Sequence, residues 1–164
     1  MRARHQVLAA VLAALLWAIG PVRVMAGDDP VPTEVLAVAD AALRAISDED
    51  FIALTDLMVP ETVLYAAGER DGERFLRSRS YAEERAQESP GDILERGFEP
   101  TVMVSGSVAM VWYPYDLWLD GTWVHCGVDI FNLVRTDAGW RIAAIVYSAD
   151  QPPACAMHPD GPPG

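Results

Sequence analysis

The chain has 164 residues, of which 12 are basic and 24 acidic, so its formal net charge at pH 7 is −12. Such an acidic surface repels nucleic-acid phosphates and anionic lipid headgroups. We therefore expect no nucleic-acid partner and no binding to a membrane surface.

The first 26 residues have the pattern of a secretory signal peptide. A short basic segment precedes the apolar run 6–19, and Val24-Met25-Ala26 suits cleavage after Ala26. Cleavage would leave 138 residues, without a stable membrane span, and would change the formal net charge from −12 to −15 by removing three arginines. An uncleaved N-terminal anchor is the alternative. The predicted location is secreted or periplasmic.

A polar linker, 27–32, precedes one domain, predicted over 33–150, whose first half is helical. Thr33 can cap a first helix with apolar residues at helical spacing up to Ile46. A capping box at Ser47 starts a second helix over about 51–58, and the acids 48–50 are its dipole partners rather than a metal site. A short β-rich stretch, 62–66, precedes a third helix, predicted over 71–88 with a solvated mixed-charge face.

From residue 92 the hydrophobic period changes to two. Four strands are predicted, over about 93–104, 107–119, 122–135 and 139–149, with turns at Ser105-Gly106, Asp120-Gly121 and 137–139. Helices followed by an antiparallel meander indicate an α+β domain. The tail, 151–164, is too rich in proline and glycine for a regular element and is predicted to be flexible.

The hairpin around Asp120-Gly121 holds the candidate site. A two-residue type I′ turn pairs residues whose numbers sum to 241. One face then carries three ionisable groups among aromatic residues, as the opposed pairs Asp116 and His125, Trp118 and Trp123, Pro114 and Gly127, and Trp112 and Asp129.

On this face we expect His125 to act as general base or acid, oriented by Asp116, with Asp129 as a second acid or acceptor. Trp112, Trp118, Trp123 and Gly127 would bind the ligand. The alternative is a cross-strand pair on a solvent-facing sheet. One histidine and two carboxylates are a weak metal-ligand set, so we expect no metal.

Cys126 and Cys155 are the only cysteines, and an even pair in an exported chain is typical of a disulfide. If Arg135 pairs with Trp140, Cys126 lies beside Ala149, and the tail can fold back to reach it. A buried thiol at Cys126 and a loose thiol at Cys155 are the alternatives.

The sequence resembles the nuclear transport factor 2-like superfamily, in its secreted bacterial branch with SnoaL-like polyketide cyclases and ketosteroid isomerases. The resemblance spans about 31–149 and rests on the segments 39–44, 50–54, 109–116, 125–129 and 139–145. It implies a cone in which a strongly curved antiparallel sheet wraps three N-terminal helices around an apolar pocket. Dimers through the sheet and acid–base chemistry without a cofactor are further implications.

The resulting hypothesis is an exported domain that binds a small apolar or carbonyl-containing molecule. Proton transfer next to a carbonyl, of the isomerase, cyclase or dehydratase type, would be its reaction. The alternative is a non-catalytic interaction or dimerisation module of the cell envelope, with the aromatic face as a homodimer or partner interface.

Overall fold

A computed structural model of the chain describes residues 30–164. The predicted leader and the first half of the predicted linker, 27–29, lie outside these residues. The helices are α1 (Pro30–Ser47), α2 (Phe51–Asp56) and α3 (Tyr81–Arg85). The strands are β1 (Met58–Arg70), β2 (Glu73–Ser80), β3 (Ile93–Gly97), β4 (Thr101–Ser105), β5 (Val108–Leu119), β6 (Thr122–Thr136) and β7 (Gly139–Ser148).

The seven strands form one curved sheet in the order β2-β1-β7-β6-β5-β3, and β4 also pairs with β5. The prediction of an antiparallel sheet is correct for every pair except β1 and β7, which run parallel. The sheet is therefore mixed. The parallel pair arises because β1 follows the helices and joins the free edge of the late meander.

Helix α1 packs against the inner face of the sheet. Its apolar residues Val35, Ala39 and Ala42 are fully buried, as their helical spacing predicts. The helix begins at Pro30, before the predicted cap at Thr33, because proline is well suited to a first helical turn. Within residues 30–164 no helix has the length and hydropathy needed to cross a membrane.

Helix α2 is capped by Asp50 rather than by Ser47. The Asp50 carboxylate accepts a hydrogen bond from the Ala53 amide at 2.8 Å. Ser47 Oγ instead accepts from the Glu95 amide at 2.9 Å and donates to the Glu95 carbonyl at 3.1 Å. These two bonds attach β3 to the end of α1 and fix the backbone of Glu95.

The predicted helix over 71–88 is wrong. Asp71 and Gly72 have φ values of 56° and 80°, the left-handed conformation of a tight hairpin turn, and they join β1 to β2. Only the five residues of α3 are helical, with Ser80 and Glu83 forming a capping box. The arginines and glutamates have helical spacing, but the turn and the cross-strand pairing with β1 override that weak preference.

Candidate functional site

A β-bulge in the β5–β6 hairpin changes the predicted register. Trp118 pairs with Trp123 and Leu119 with Thr122, as predicted, but beyond this point Leu117, not Asp116, lies opposite His125. Val124 is the extra residue of the bulge. The predicted register, in which the numbers of paired residues sum to 241, is therefore wrong from Leu117 to the far end of the hairpin. There the numbers of paired residues sum to 242.

The one-residue shift places His125 and Asp129 on the face that carries Tyr113, Tyr115 and Leu117. This is the inner face, and it borders a cavity of about 410 Å³. Apolar side chains make most of the cavity wall, including Ile46, Phe51, Leu64, Ile93, Leu117, Leu119, Val124, Phe131 and Ile145. The volume is in the range of small-molecule sites.

Two buried carboxyl groups meet in this cavity. Glu95 of β3 and Asp129 of β6 are 9% and 4% exposed, and their side chains are hydrogen-bonded to each other. Within residues 30–164 no N–H or O–H group donates to Asp129 Oδ2. Two carboxyl groups can share a hydrogen bond only if one of them carries a proton, so the pair holds a proton inside the cavity.

The surroundings of the carboxyl pair favour its protonated forms. Burial raises the pKa of Glu95 to about 7, against the opposing influence of the hydrogen bond with Asp129 and of the Arg79 guanidinium. Burial also raises the pKa of Asp129 well above its ordinary value, and the negative charge of Glu95 adds to this effect. Burial therefore favours the protonated form of both carboxyl groups, and Glu95 is close to its point of half-ionisation near neutral pH.

His125 lies in the same cavity and is neutral. Burial, and then the positive charge of Arg70, lower the pKa of His125 to about 4. The Tyr115 hydroxyl lies 2.8 Å from the Ser148 carbonyl oxygen and 3.0 Å from His125 Nδ1. Because a carbonyl only accepts, the single hydroxyl proton of Tyr115 goes to Ser148, and His125 Nδ1–H donates to Tyr115. His125 Nε2 therefore carries a lone pair.

Two arginines border the cavity, and within the part of the chain that the structure describes one of them forms an ion pair while the other does not. Arg79 donates through Nε to Glu84 Oε2 at 2.5 Å, and Glu84 is 2% exposed. Tyr147 is also hydrogen-bonded to Arg79. Arg70, at the end of β1, forms no ion pair with any carboxylate of residues 30–164, and its guanidinium lies 5.9 Å from the centre of the Phe75 ring.

Asp116 lies on the opposite face of the sheet from His125. It is fully buried on the outer side of β5 and accepts from Arg96 Nε at 2.9 Å and from the His158 amide at 3.0 Å. Burial opposes ionisation, but these two donors lower the pKa of Asp116 below its ordinary value. The predicted Asp116–His125 contact is therefore wrong, because the bulge turns the two side chains to opposite faces.

The predicted ligand-binding residues also lie away from the cavity wall. Trp112 is 43% exposed on the outer face, and Trp118 and Trp123 stack on each other with ring centres 6.1 Å apart. Gly127 lies opposite Tyr115, and a Cβ atom there would come within 2.3 Å of the Ser148 carbonyl oxygen. This glycine admits another backbone rather than a ligand.

The predicted disulfide between Cys126 and Cys155 is confirmed, with a Cα–Cα distance of 5.8 Å. Arg135 pairs with Trp140 as predicted, but a register shift between Asn132 and Leu133 makes Asp150, not Ala149, the neighbour of Cys126. The tail contains no helix or strand, yet the disulfide and the contact between His158 and Asp116 attach it to the sheet.

Sequence reasoning missed Glu95, Tyr115, Arg70 and Arg79. The sequence pattern could have indicated Glu95, because it occupies an inward position between Ile93 and Gly97 in a strand with a period of two. Two further tyrosines of the sheet, Tyr113 and Tyr65, do not border the cavity. Tyr113 binds Asp40 of α1 at 3.0 Å, and Tyr65 is 40% exposed on the outer face. In residues 30–164, no group of three or more His, Cys, Asp or Glu side chains is arranged to hold a metal ion.

No family model and no curated protein matches the sequence. The fold, however, is similar to that of several solved structures. A nuclear transport factor 2-like protein of unknown function from Pseudomonas putida KT2440 is 13% identical, with a TM-score of 0.58 over 80% of this chain and 96% of that chain. A ketosteroid isomerase-like protein from Erwinia carotovora atroseptica is 18% identical, with a TM-score of 0.52 over 75% and 98%.

The beta subunit of a putative aromatic-ring-hydroxylating dioxygenase from Novosphingobium aromaticivorans is 9% identical, with a TM-score of 0.60 over 73% of this chain and 89% of that chain. These similarities agree with the curved sheet and the helices packed inside it, and they identify the fold. The chain has the fold of the nuclear transport factor 2-like superfamily.

Proposed function

We propose that the protein is exported, that it binds a small and mainly apolar molecule in the inner cavity, and that the Glu95–Asp129 pair transfers a proton on that molecule. The observation that carries this proposal is a proton-sharing carboxyl pair buried in an apolar cavity of about 410 Å³. Perturbed carboxyl groups in a cleft are typical of acid–base sites. The Cys126–Cys155 disulfide and the predicted leader support export.

The proposed chemistry assigns different roles to the two carboxyl groups. The Glu95 carboxylate takes a proton from a carbon next to a carbonyl, so the C–H bond breaks and its electron pair moves towards the carbonyl oxygen. The Asp129 O–H donates a hydrogen bond to that oxygen. Return of the proton from Glu95 to a different carbon completes an isomerisation. If the electron pair instead breaks the bond to a leaving group on the β-carbon, and Glu95 gives its proton to that group, the result is an elimination.

His125 has a different role in this proposal from the one expected on sequence grounds. A neutral imidazole with a pKa of about 4 is a weak base. Its Nε2 lone pair can accept a hydrogen bond from a polar group of the ligand, while Tyr115 holds the ring. Asp129 keeps its expected role of second acid, and Glu95 replaces His125 as the base.

The first experiment is native mass spectrometry of the protein purified from its own host, with a variant that fills the cavity. Leu117→Trp should abolish co-purification of a small molecule, because Leu117 borders the cavity. Met110→Trp is the matched control, since Met110 lies on the outer face of the same strand and should retain the molecule. An empty unaltered protein, or equal occupancy in both variants, would contradict the proposal.

The captured molecule then tests the chemistry. In deuterated water the protein should catalyse deuterium incorporation next to a carbonyl, and Glu95→Gln should lower this rate about 100-fold or more. His125→Gln should lower it less, because His125 only positions the ligand. No incorporation by the unaltered protein would leave ligand binding as the whole function.

A second candidate function is supported by the outer face of the sheet. Four apolar side chains lie side by side across four strands of this face: Trp112, Ile130, Val146 and Tyr65. Trp112 is 43% exposed, Val146 37% and Tyr65 40%. A row of exposed apolar side chains is typical of an interface. It fits a homodimer or a partner in the cell envelope.

This second function predicts that the protein self-associates through the row. Analytical ultracentrifugation should show a dimer that Trp112→Glu converts to a monomer, because a charge in an apolar interface is costly to bury. Ser105→Glu, on the neighbouring edge strand, is the control and should leave the dimer intact. A monomer at all concentrations would contradict self-association through this face.

A further inference from the structure

The cavity has a second polar end besides the carboxyl pair. Arg70 and His125 both border the cavity, and the positive charge of Arg70 lowers the pKa of His125. Along β6, His125 and Asp129 lie on the inner face on either side of Gly127, and Tyr115 lies opposite Gly127. Tyr115 therefore stands between His125 and Asp129.

Of the two arginines that border the cavity, Arg70 is the one without a carboxylate partner in the described part of the chain, and its side chain is exposed to solvent. Arg79, Arg85 and Arg96 form short ion pairs with Glu84, Asp56 and Asp116. Among the residues that the structure describes, no carboxylate lies within ion-pair distance of Arg70, and its one recorded ring contact, with Phe75, leaves its hydrogen-bond donors free. The neighbouring His125 is neutral and does not compensate the charge.

The other charges of the cavity do not neutralise this arginine. The Arg79 charge is taken up by Glu84, and the Glu95–Asp129 pair holds at least one proton within its own hydrogen bond. The cavity thus presents a solvent-exposed guanidinium without a carboxylate partner in residues 30–164 at one end, with apolar walls behind it. A guanidinium is well matched to a carboxylate, because its donors form a planar fork.

From this arrangement we infer that the ligand of the cavity is an amphipathic carboxylic acid, whose carboxylate binds Arg70 and whose apolar body fills the cavity towards Glu95 and Asp129. This inference rests on the proposed function, and it names the substrate class of the same site. The acid has its reactive carbonyl or C–H group at the far end from the carboxylate, because the two polar ends of the cavity are separated by Tyr115.

Calorimetric titration with decanoate and with decanamide tests the inference, because the two probes share a shape and differ in charge. Decanoate should bind the unaltered protein about tenfold more tightly than decanamide, as expected for a charge-assisted hydrogen bond. Arg70→Met keeps most of the apolar stem of the side chain and should reduce the ratio of the two affinities to about one. Decanoate should also shift the imidazole NMR signals of His125.

Arg74→Met is the matched control, since Arg74 lies on the same hairpin and does not border the cavity. It should leave the affinity ratio unchanged. Equal affinities of the acid and the amide for the unaltered protein would overturn the carboxylate subsite and leave the apolar ligand of the proposed function intact. Failure of both probes to bind would overturn the subsite and also count against ligand binding in this cavity.

Discussion

Replacing Glu95 with glutamine and Asp129 with asparagine should stabilise the protein progressively as the pH rises from about 5 to about 8, by on the order of 3 kcal/mol relative to the unaltered chain. In the unfolded chain both carboxyl groups ionise near their ordinary pKa values. In the folded protein burial holds the pKa of Glu95 at about 7 and that of Asp129 well above its ordinary value.

The direction of this pH dependence follows from the number of protons bound by the folded and unfolded chains. Between these pKa values the folded protein binds more protons than the unfolded chain, so its free energy of unfolding falls as the pH rises. The Glu95 contribution is lost between about pH 4.5 and pH 7, and the Asp129 contribution is lost as the pH rises through its own raised pKa. The neutral double variant lacks both contributions, so its advantage over the unaltered protein grows with pH.

The ionisation of His125 changes the stability of the protein with pH in the opposite direction, so the unaltered protein must be compared with a variant. Its folded pKa of about 4 lies below the ordinary value of 6.5, so it adds stability as the pH rises through this interval. The stability of the unaltered protein alone therefore conceals both effects. His125 is present in both proteins, and its contribution cancels in their difference.

Urea denaturation of both proteins at several pH values measures this difference. A control variant, Glu61→Gln with Asp137→Asn, removes two exposed carboxylates and should show a difference that does not depend on pH. A pH-independent difference for the Glu95 and Asp129 variant as well would mean that the pair ionises normally. The pair would then be unable to act as the proposed acid and base.

The helical and strand elements differ in how far the sequence predicts them. Helix α1 and strands β5 to β7 are predicted well, because apolar spacing and turn residues such as Asp120-Gly121 both act locally. Residues 71–88 are mispredicted because the arginine and glutamate spacing also suits a helix. Residues 73–80 form a strand because they pair with β1, and the local sequence pattern does not indicate this pairing.

The candidate site depends on a bulge that the sequence does not reveal. Trp123, Val124 and His125 are all compatible with a regular strand, so either register satisfies the local alternation. One extra residue moves His125 and Asp129 from the predicted aromatic face to the cavity. Glu95 comes from a different strand, and its contact with Asp129 requires the tertiary fold. Of the predicted site residues, His125 and Asp129 border the cavity, but their neighbours there differ from those predicted.

Removal of the disulfide should have the other large effect on stability. In the chain-entropy relation, a cross-link between residues 29 positions apart contributes about 3 to 4 kcal/mol to the free energy of unfolding. The Cys126→Ala, Cys155→Ala variant should lose this amount, and its tail, 151–164, should become sensitive to proteases. Urea denaturation and limited proteolysis measure the two results.

A truncation after Ala156 separates the cross-link from the contacts of the tail. It keeps the disulfide but removes the His158 amide that donates to Asp116, and should cost about 1 kcal/mol because Arg96 still pairs with the buried carboxylate. If the two variants lost equal stability, the contacts of the tail and not the cross-link would be responsible. Cys126 points outward directly beside His125, next to the bulge at Val124. We therefore expect the cysteine variant, and not the truncation, to shift the NMR signals of His125 in the cavity.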